Sequence, residues 1–122
     1  MKQTAAELLS NLSQFIGTEH YYRLLPTFVV TDGLRYLMDN ADCYWLAQLY
    51  GLHLCDVDFN QNPFTVLQFT KKNIGGIVNI EDGNGNLLVQ QRLDYTDFPF
   101  DEYKLYACWD GAHWVGMLVS EY

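Results

Sequence analysis

The sequence predicts an α+β fold in which N-terminal helices pack on one face of an antiparallel four- to five-stranded meander sheet. Three observations carry that expectation. Apolar residues at helical spacing are confined to the part of the chain before Gly51, strand patterns dominate after it, and the glycine- and asparagine-rich cluster Asp82-Gly83-Asn84-Gly85-Asn86 and the pair Asp110-Gly111 divide the second half into hairpins. Helices first and strands second, without βαβ alternation, segregate the two kinds of element. At 122 residues, 49% of them hydrophobic, the chain forms one domain spanning 1–122 with a core large enough to fold without metal or disulfides.

The first helix is expected at residues 4–16. Thr4 and Glu7 have the spacing of a capping box, Leu8, Leu9, Leu12, Phe15 and Ile16 recur at helical intervals, and Gly17 is the expected stop. From Tyr21 to Thr31 the residues become β-branched and aromatic. Pro26 divides them into two extended segments, Tyr21–Leu24 and Phe28–Val30. Thr31-Asp32 supplies cap chemistry for a helical stretch that is either one long helix or two short ones, 33–39 and 42–50. The second would be capped by Asp42 and ended by Gly51.

Strands are then expected at Phe64–Lys71, Gly76–Glu81, 87–93, 103–109 and His113–Val119. Leu87, Val89 and Leu93 should share one face, as should Tyr103, Leu105, Ala107 and Trp109. His53, Cys55, Asp56 and Asp58 read as an extended run whose alternation sends them to opposite faces.

Charge and composition exclude several functions. Seven Lys and Arg against fifteen Asp and Glu give a net charge of −8, so direct nucleic-acid binding through counterion release is not expected. The opening segment lacks the uninterrupted apolar core of a secretory signal, and no run approaches the roughly 18 apolar residues of a spanning helix. A cytoplasmic protein without membrane contact is expected. Cys43, Cys55 and Cys108 are odd in number and lie in apolar contexts, which reads as buried free thiols.

No motif for catalysis, a metal or a cofactor survives inspection. Asp82-Gly-Asn84-Gly-Asn86 opens like a calcium loop but has Leu87 where that loop needs glycine and Leu93 where it needs glutamate. There is no G-x-S-x-G elbow, Gly75-Gly76 lacks the Lys-Ser/Thr of a phosphate loop, and nothing in the spacing of His20, His53 and His113 selects a catalytic pair.

The acidic residues are more informative. Residues 73–122 hold eight carboxylates against Arg92 and Lys104, a net of −6, whereas residues 1–72 hold seven against five, a net of −2. Within the sheet half, Asp94, Asp97, Asp101 and Glu102 interleave with Tyr95, Phe98, Phe100 and Tyr103 around Pro99. This segment is either a solvated loop whose aromatics tuck into the core or a recognition surface, with aromatic anchors and carboxylates that steer a basic protein partner. The expected function is a non-enzymatic binding or inhibitory module. The alternative is a small-ligand-binding or hydrolytic domain of cone-shaped α+β type, with a pocket lined by Tyr44, Trp45, Trp109 and Trp114. A third reading is a homodimer paired through His113–Val119 as an exposed edge.

Thr31-Asp32-Gly33, Tyr44-Trp45-Leu46, Asp82-Gly83-Asn84, Tyr95-Thr96-Asp97-Phe98-Pro99 and Ser120-Glu121-Tyr122 together resemble a family of small bacterial proteins known only as a domain of unknown function. That resemblance, from about Phe15 to the terminus, implies cyanobacterial and other bacterial relatives near plasmid or mobile-element genes. It brings no activity, ligand or catalytic residue, but it favours an inhibitor of host machinery.

Overall fold

Thr4 and Glu7 accept from each other's backbone N–H, as the capping box requires, in the computed structural model, which describes residues 3–122. The helix they start, α1 (Ala5–Leu12), is shorter than expected. Ser13 turns its hydroxyl back onto the Ser10 carbonyl at 2.7 Å, and Gln14 and Phe15 close three-residue turns onto Asn11 and Leu12. Phe15 thereby leaves the helix to pack on Tyr36, 5.3 Å between ring centres. Gly17 lies beyond this end and stops nothing.

Strands β1 (Tyr21–Leu25) and β2 (Phe28–Thr31) form the antiparallel hairpin that Pro26 suggested. Two helices follow. Thr31 caps α2 (Asp32–Ala41), its hydroxyl accepting from Leu34 N–H at 3.3 Å. Asp42 is not the start of the next helix but the left-handed end of α2, with φ of 50° and its N–H on Met38. Helix α3 (Tyr44–Leu54) begins at Cys43 without a side-chain cap. It runs through Gly51 because that glycine is buried in the core, where a Cβ would come within 2.7 Å of Phe28 and 2.8 Å of Leu25. His53 therefore sits in the last helical turn and Cys55 just beyond it, not on a strand.

The sheet has seven strands in the order β1-β2-β7-β6-β3-β4-β5, with β3 (Phe64–Lys72), β4 (Gly75–Asp82), β5 (Leu87–Leu93), β6 (Glu102–Trp109) and β7 (Trp114–Leu118). It is larger than the expected four or five strands and is not a simple meander. The early hairpin joins it through a parallel pairing of β2 with β7, and β6 returns to pair with β3. Every other pairing is antiparallel. β7 is consequently an interior strand, which removes the His113–Val119 edge expected for self-association. Gly116 makes the junction possible, since a Cβ there would stand 2.7 Å from Phe28 and 3.1 Å from Leu34.

Inward-facing Leu67, Phe69, Val78, Ile80, Leu105 and Ala107 meet Leu8, Leu37, Leu46 and Tyr50 from the helices in one core. Full burial of each large side chain contributes about 1.5–3 kcal/mol. Tyr50, wholly buried, brings its hydroxyl to Thr65, 3.1 Å from the carbonyl and 2.9 Å from the side-chain oxygen. An irregularity at Ile80/Glu81 pairs Leu87 with Glu81, which moves Leu87 off the face of Val89 and Leu93 and leaves it exposed. Of the cysteines, Cys43 is buried, Cys108 half-buried and Cys55 exposed; all are free. No described helix is long and apolar enough to cross a membrane.

Candidate interaction surface

Strands β3 and β4 turn at Asn73-Ile74, where Asn73 takes the left-handed conformation, φ 56°, that asparagine tolerates better than most residues. Ile74 is left at the tip, 70% exposed. The next residue must be small. A Cβ on Gly75 would fall far inside contact distance of the Leu93 carbonyl oxygen and 2.9 Å from that of Asp94, because the chain leaving β5 doubles back over this hairpin.

That chain, residues 94–101, is pinned along its length. Thr96 N–H donates to the Ile74 carbonyl at 2.8 Å, and the buried Thr96 hydroxyl oxygen accepts from Phe98 N–H at 3.1 Å. At the far end Lys71 N–H donates to the Asp101 carbonyl at 2.8 Å. Phe98 is 1% exposed and packs edge-on against Trp45, Phe69, Phe100 and Tyr103, while Phe100 stacks on Tyr103 at 5.2 Å. Phe98 and Phe100 are therefore core anchors of the loop and not recognition anchors, a correction that follows from their apolar rings finding a closed aromatic cluster. Tyr103 is half-buried at the start of β6, where burial, with Cys43 and Glu121 adding to it, raises its phenol pKa.

Alternation with Thr96, Phe98 and Phe100 turns Asp97 and Asp101 outward, and Asp94 and Glu102 are exposed at the two ends of the segment. Asp94, Asp97, Asp101 and Glu102 are all exposed, and among the described residues none forms an ion pair. Tyr95 is 72% exposed beside the hairpin tip. The rigid loop thus presents one tyrosine, the neighbouring Ile74 and four unpaired carboxylates. On one side lies a groove of about 570 Å³ lined by Leu9, Lys71, Pro99, Phe100, Asp101 and Glu102. On the other, a groove of about 490 Å³ is lined by Lys72, Ile74, Ile77, Arg92 and Asp94. Ile74 was missed by the sequence reading, which used Gly75-Gly76 only to reject a phosphate loop. The run Asn73-Ile74-Gly75 held the signal, a turn residue followed by a large apolar one.

The remaining candidates do not converge. His53 Nε2 is 2.7 Å from the Gln91 side-chain oxygen, Cys55 is exposed beyond the helix, and Asp58 accepts from Asn60 N–H. Among the described residues no group of three or more His, Cys, Asp or Glu is arranged to hold a metal ion. Tyr44 and Trp45 lie on α3, with Trp45 against Phe98. Trp109 is packed between Phe59 at 4.0 Å and the buried Trp114 at 5.7 Å, so these four rings line no common cavity. His113 lies 2.9 Å from Asp110 in a turn, and His20 is 3.8 Å from Asp32.

Two of the sequence motifs do meet. The Glu121 carboxylate accepts from the Thr31 hydroxyl at 2.5 Å, Gly33 N–H at 3.1 Å and Leu118 N–H at 3.0 Å, clamping the C-terminal turn Val119–Glu121 to the start of α2. Gly33 has no room for a side chain there, because a Cβ would lie 2.5 Å from the carboxylate. Asp32 is equally engaged, accepting from the backbone N–H of Glu19 and His20 and from the Tyr22 hydroxyl. Each of these oxygens has a partner within the fold, so the cluster ties the C-terminal turn and the start of β1 to the beginning of α2.

Residues 6–122 match the model of a family of unknown function, DUF6876. No curated protein matches the chain. Among solved structures it is similar to a protein of unknown function from Enterococcus faecalis, with 15% identity over 80% of this chain and 91% of that one and a TM-score of 0.56. At that identity the likeness is one of fold.

Proposed function

Because the chain belongs to the DUF6876 family, of unknown function, we propose its role from geometry: a non-enzymatic binding or inhibitory module whose contact surface is the 94–102 segment together with the Ile74 tip. One observation carries the reading. Four exposed carboxylates, without ion-pair partners among the described residues, are carried by a segment whose Phe98 and Phe100 are buried in the core. Such a surface meets its partner already ordered, so little conformational entropy is lost on binding. The charges favour a partner with a basic surface and speed its approach, and Tyr95 and Ile74 supply apolar contact at the centre. An inhibitor of host machinery carried on a mobile element would use a surface of this kind.

The test compares the wild-type protein with two exposed-surface variants, Asp97→Ser/Asp101→Ser/Glu102→Ser and Ile74→Ser/Tyr95→Ser, as immobilised baits for basic proteins of the native host. Both should retain the wild-type circular dichroism spectrum, and both should lose the salt-sensitive retention of any partner. Retention equal to wild type in both variants refutes the proposal.

A further inference from the structure

Strand β1 is one edge of the sheet, and among the described residues no hydrogen bond from outside the β1–β2 hairpin reaches the backbone of Tyr21–Leu24. An edge of this kind leaves alternate N–H and C=O groups open to a further strand. A groove of about 480 Å³ lies along it, lined by β1, the adjoining β2, α2 and the start of α3. Leu24, Val30 and Met38 make its lining apolar, and Tyr22 and Tyr44 add two aromatic rings.

The charged groups of this groove are all of one sign. In a chain of −8, two of the three arginines line it, Arg23 and Arg35, and no Asp or Glu does. The Arg35 guanidinium lies 4.2 Å over the Tyr22 ring, with its Nε 3.7 Å from Asp39. The nearby carboxylates are engaged outside the lining. Asp39 accepts from the Tyr44 hydroxyl, and Asp32 accepts from the Tyr22 hydroxyl at 3.0 Å, which fixes both rings. Arg23 is exposed on the other face of β1 from Tyr22, and among the described residues it forms no ion pair.

We propose that this groove receives an extended acidic peptide segment of a protein partner, which adds to β1 as a further strand of the sheet. The open edge selects an extended chain, because only a second strand satisfies successive N–H and C=O groups along β1. Side chains of an added strand alternate between the two faces of the sheet. Those on the helix side enter the apolar space between Tyr22, Met38 and Tyr44, under the Arg35 guanidinium. Those on the other side stand beside Arg23, whose free guanidinium matches a carboxylate. The segment recognised is therefore one in which apolar residues alternate with acidic ones. None of the groove residues belongs to the 94–102 surface, which calls for a basic partner, so the two readings are tested independently.

The test is fluorescence anisotropy of a labelled, capped peptide of about nine residues that alternates valine with glutamate, titrated with the full chain. Saturable binding with a Kd of about 100 μM or tighter is expected. Arg23→Ser/Arg35→Ser should weaken it at least about tenfold, and Arg23→Ser alone, at an exposed position, about threefold with the wild-type circular dichroism spectrum. Amide exchange at Tyr21–Leu24 should slow when the peptide is added. A peptide with lysine in place of glutamate should not bind, and neither should one of the same composition with its valines and glutamates in separate blocks. Absence of saturable binding up to about 1 mM overturns the proposal. So does equal binding of either control peptide, binding unchanged by Arg23→Ser, or binding that leaves exchange in β1 as it was. Exchange at Tyr21–Leu24 that slows with protein concentration alone would assign the edge to a second copy of the chain and overturn it as well.

Discussion

Gly75→Ala is the most direct probe of how the acidic segment is positioned, because two physical arguments predict opposite signs for it. Gly75 is not among the glycines with positive φ, so alanine meets no backbone strain there. In an open strand the change would therefore stabilise the protein by about 0.4–1 kcal/mol through reduced freedom of the unfolded chain. In this structure the added methyl group collides with the backbone carbonyls of Leu93 and Asp94, which cannot swing aside as a side chain could. Overpacking of this kind costs about 1–3 kcal/mol. Displacing the returning chain also breaks the bond from Thr96 N–H to the Ile74 carbonyl, which is worth about 0.5–1.5 kcal/mol. The expected net loss is about 0.5–4 kcal/mol, centred near 2 kcal/mol. Urea unfolding followed by fluorescence would register the central value as a midpoint lower by about 1 M. Amide exchange at Thr96 should accelerate well beyond the global change. A stability equal to or above wild type, with Thr96 still protected, would refute the close approach of the two segments and with it the placement of Tyr95 beside Ile74.

The same structure predicts four other outcomes. Phe98→Ala should cost about 3–5 kcal/mol in chemical denaturation, whereas Tyr95→Ala should stay within about 0.5 kcal/mol; similar losses for the two would mean that the loop is turned the other way. Glu121→Gln replaces one accepting oxygen by an amide donor facing Thr31 or Gly33, so thermal unfolding should show a loss of about 1–2 kcal/mol, much of it absent when Thr31→Val is already present. The backbone N–H of Glu19 holds the Asp32 carboxyl below its ordinary value of 3.8, and the Asn86 side-chain amide does the same for Asp82; their contributions are complete above 3.8 and are lost as pH falls through the lowered values, so an acid titration by circular dichroism should show stability declining below about pH 4. Burial pushes the Cys43 thiol up to about 12, and its stabilising effect is lost as pH rises from the ordinary thiol value of 9.0 toward that figure; in the native protein at pH 8 a thiol reagent should modify Cys55 first and leave Cys43 unreacted.

Local chemistry made the ends of several elements legible. The Thr4/Glu7 box, the Thr31 cap, the split at Pro26 and the Asp82–Asn86 turn each depend on groups within a few residues of one another, and each forms as its residues dictate. The errors arose where a tertiary contact outweighed a local preference. Gly51 resembles a helix stop, but it is a glycine because Phe28 and Leu25 occupy the space of its side chain. Asp42 resembles a helix start, but a left-handed residue closing α2 is an equally good use of an aspartate. The sheet was undercounted for the same reason. Nothing near Phe28–Thr31 signals that its partner is Trp114–Leu118, more than eighty residues away and parallel to it.

The candidate surface illustrates the limit more sharply. Composition located the cluster of acids and aromatics between β5 and β6, but alternation alone cannot say which set faces water. The decision is made by Trp45 and Phe69, which come from α3 and β3 and pack edge-on against Phe98, leaving it 1% exposed. Once Phe98 and Phe100 point inward, the strand-like alternation of the segment obliges Asp97 and Asp101 to point outward, and Thr96, buried with its hydroxyl satisfied by Phe98 N–H, fixes the register. Burying even one of these carboxylates without a cation would cost several kcal/mol, so the reverse orientation is closed off by electrostatics as well as by packing. The exposure of Asp97 and Asp101 is thus a consequence of how the aromatics pack. Because that packing involves α3, a substitution at Trp45 should disturb the acidic surface without touching it.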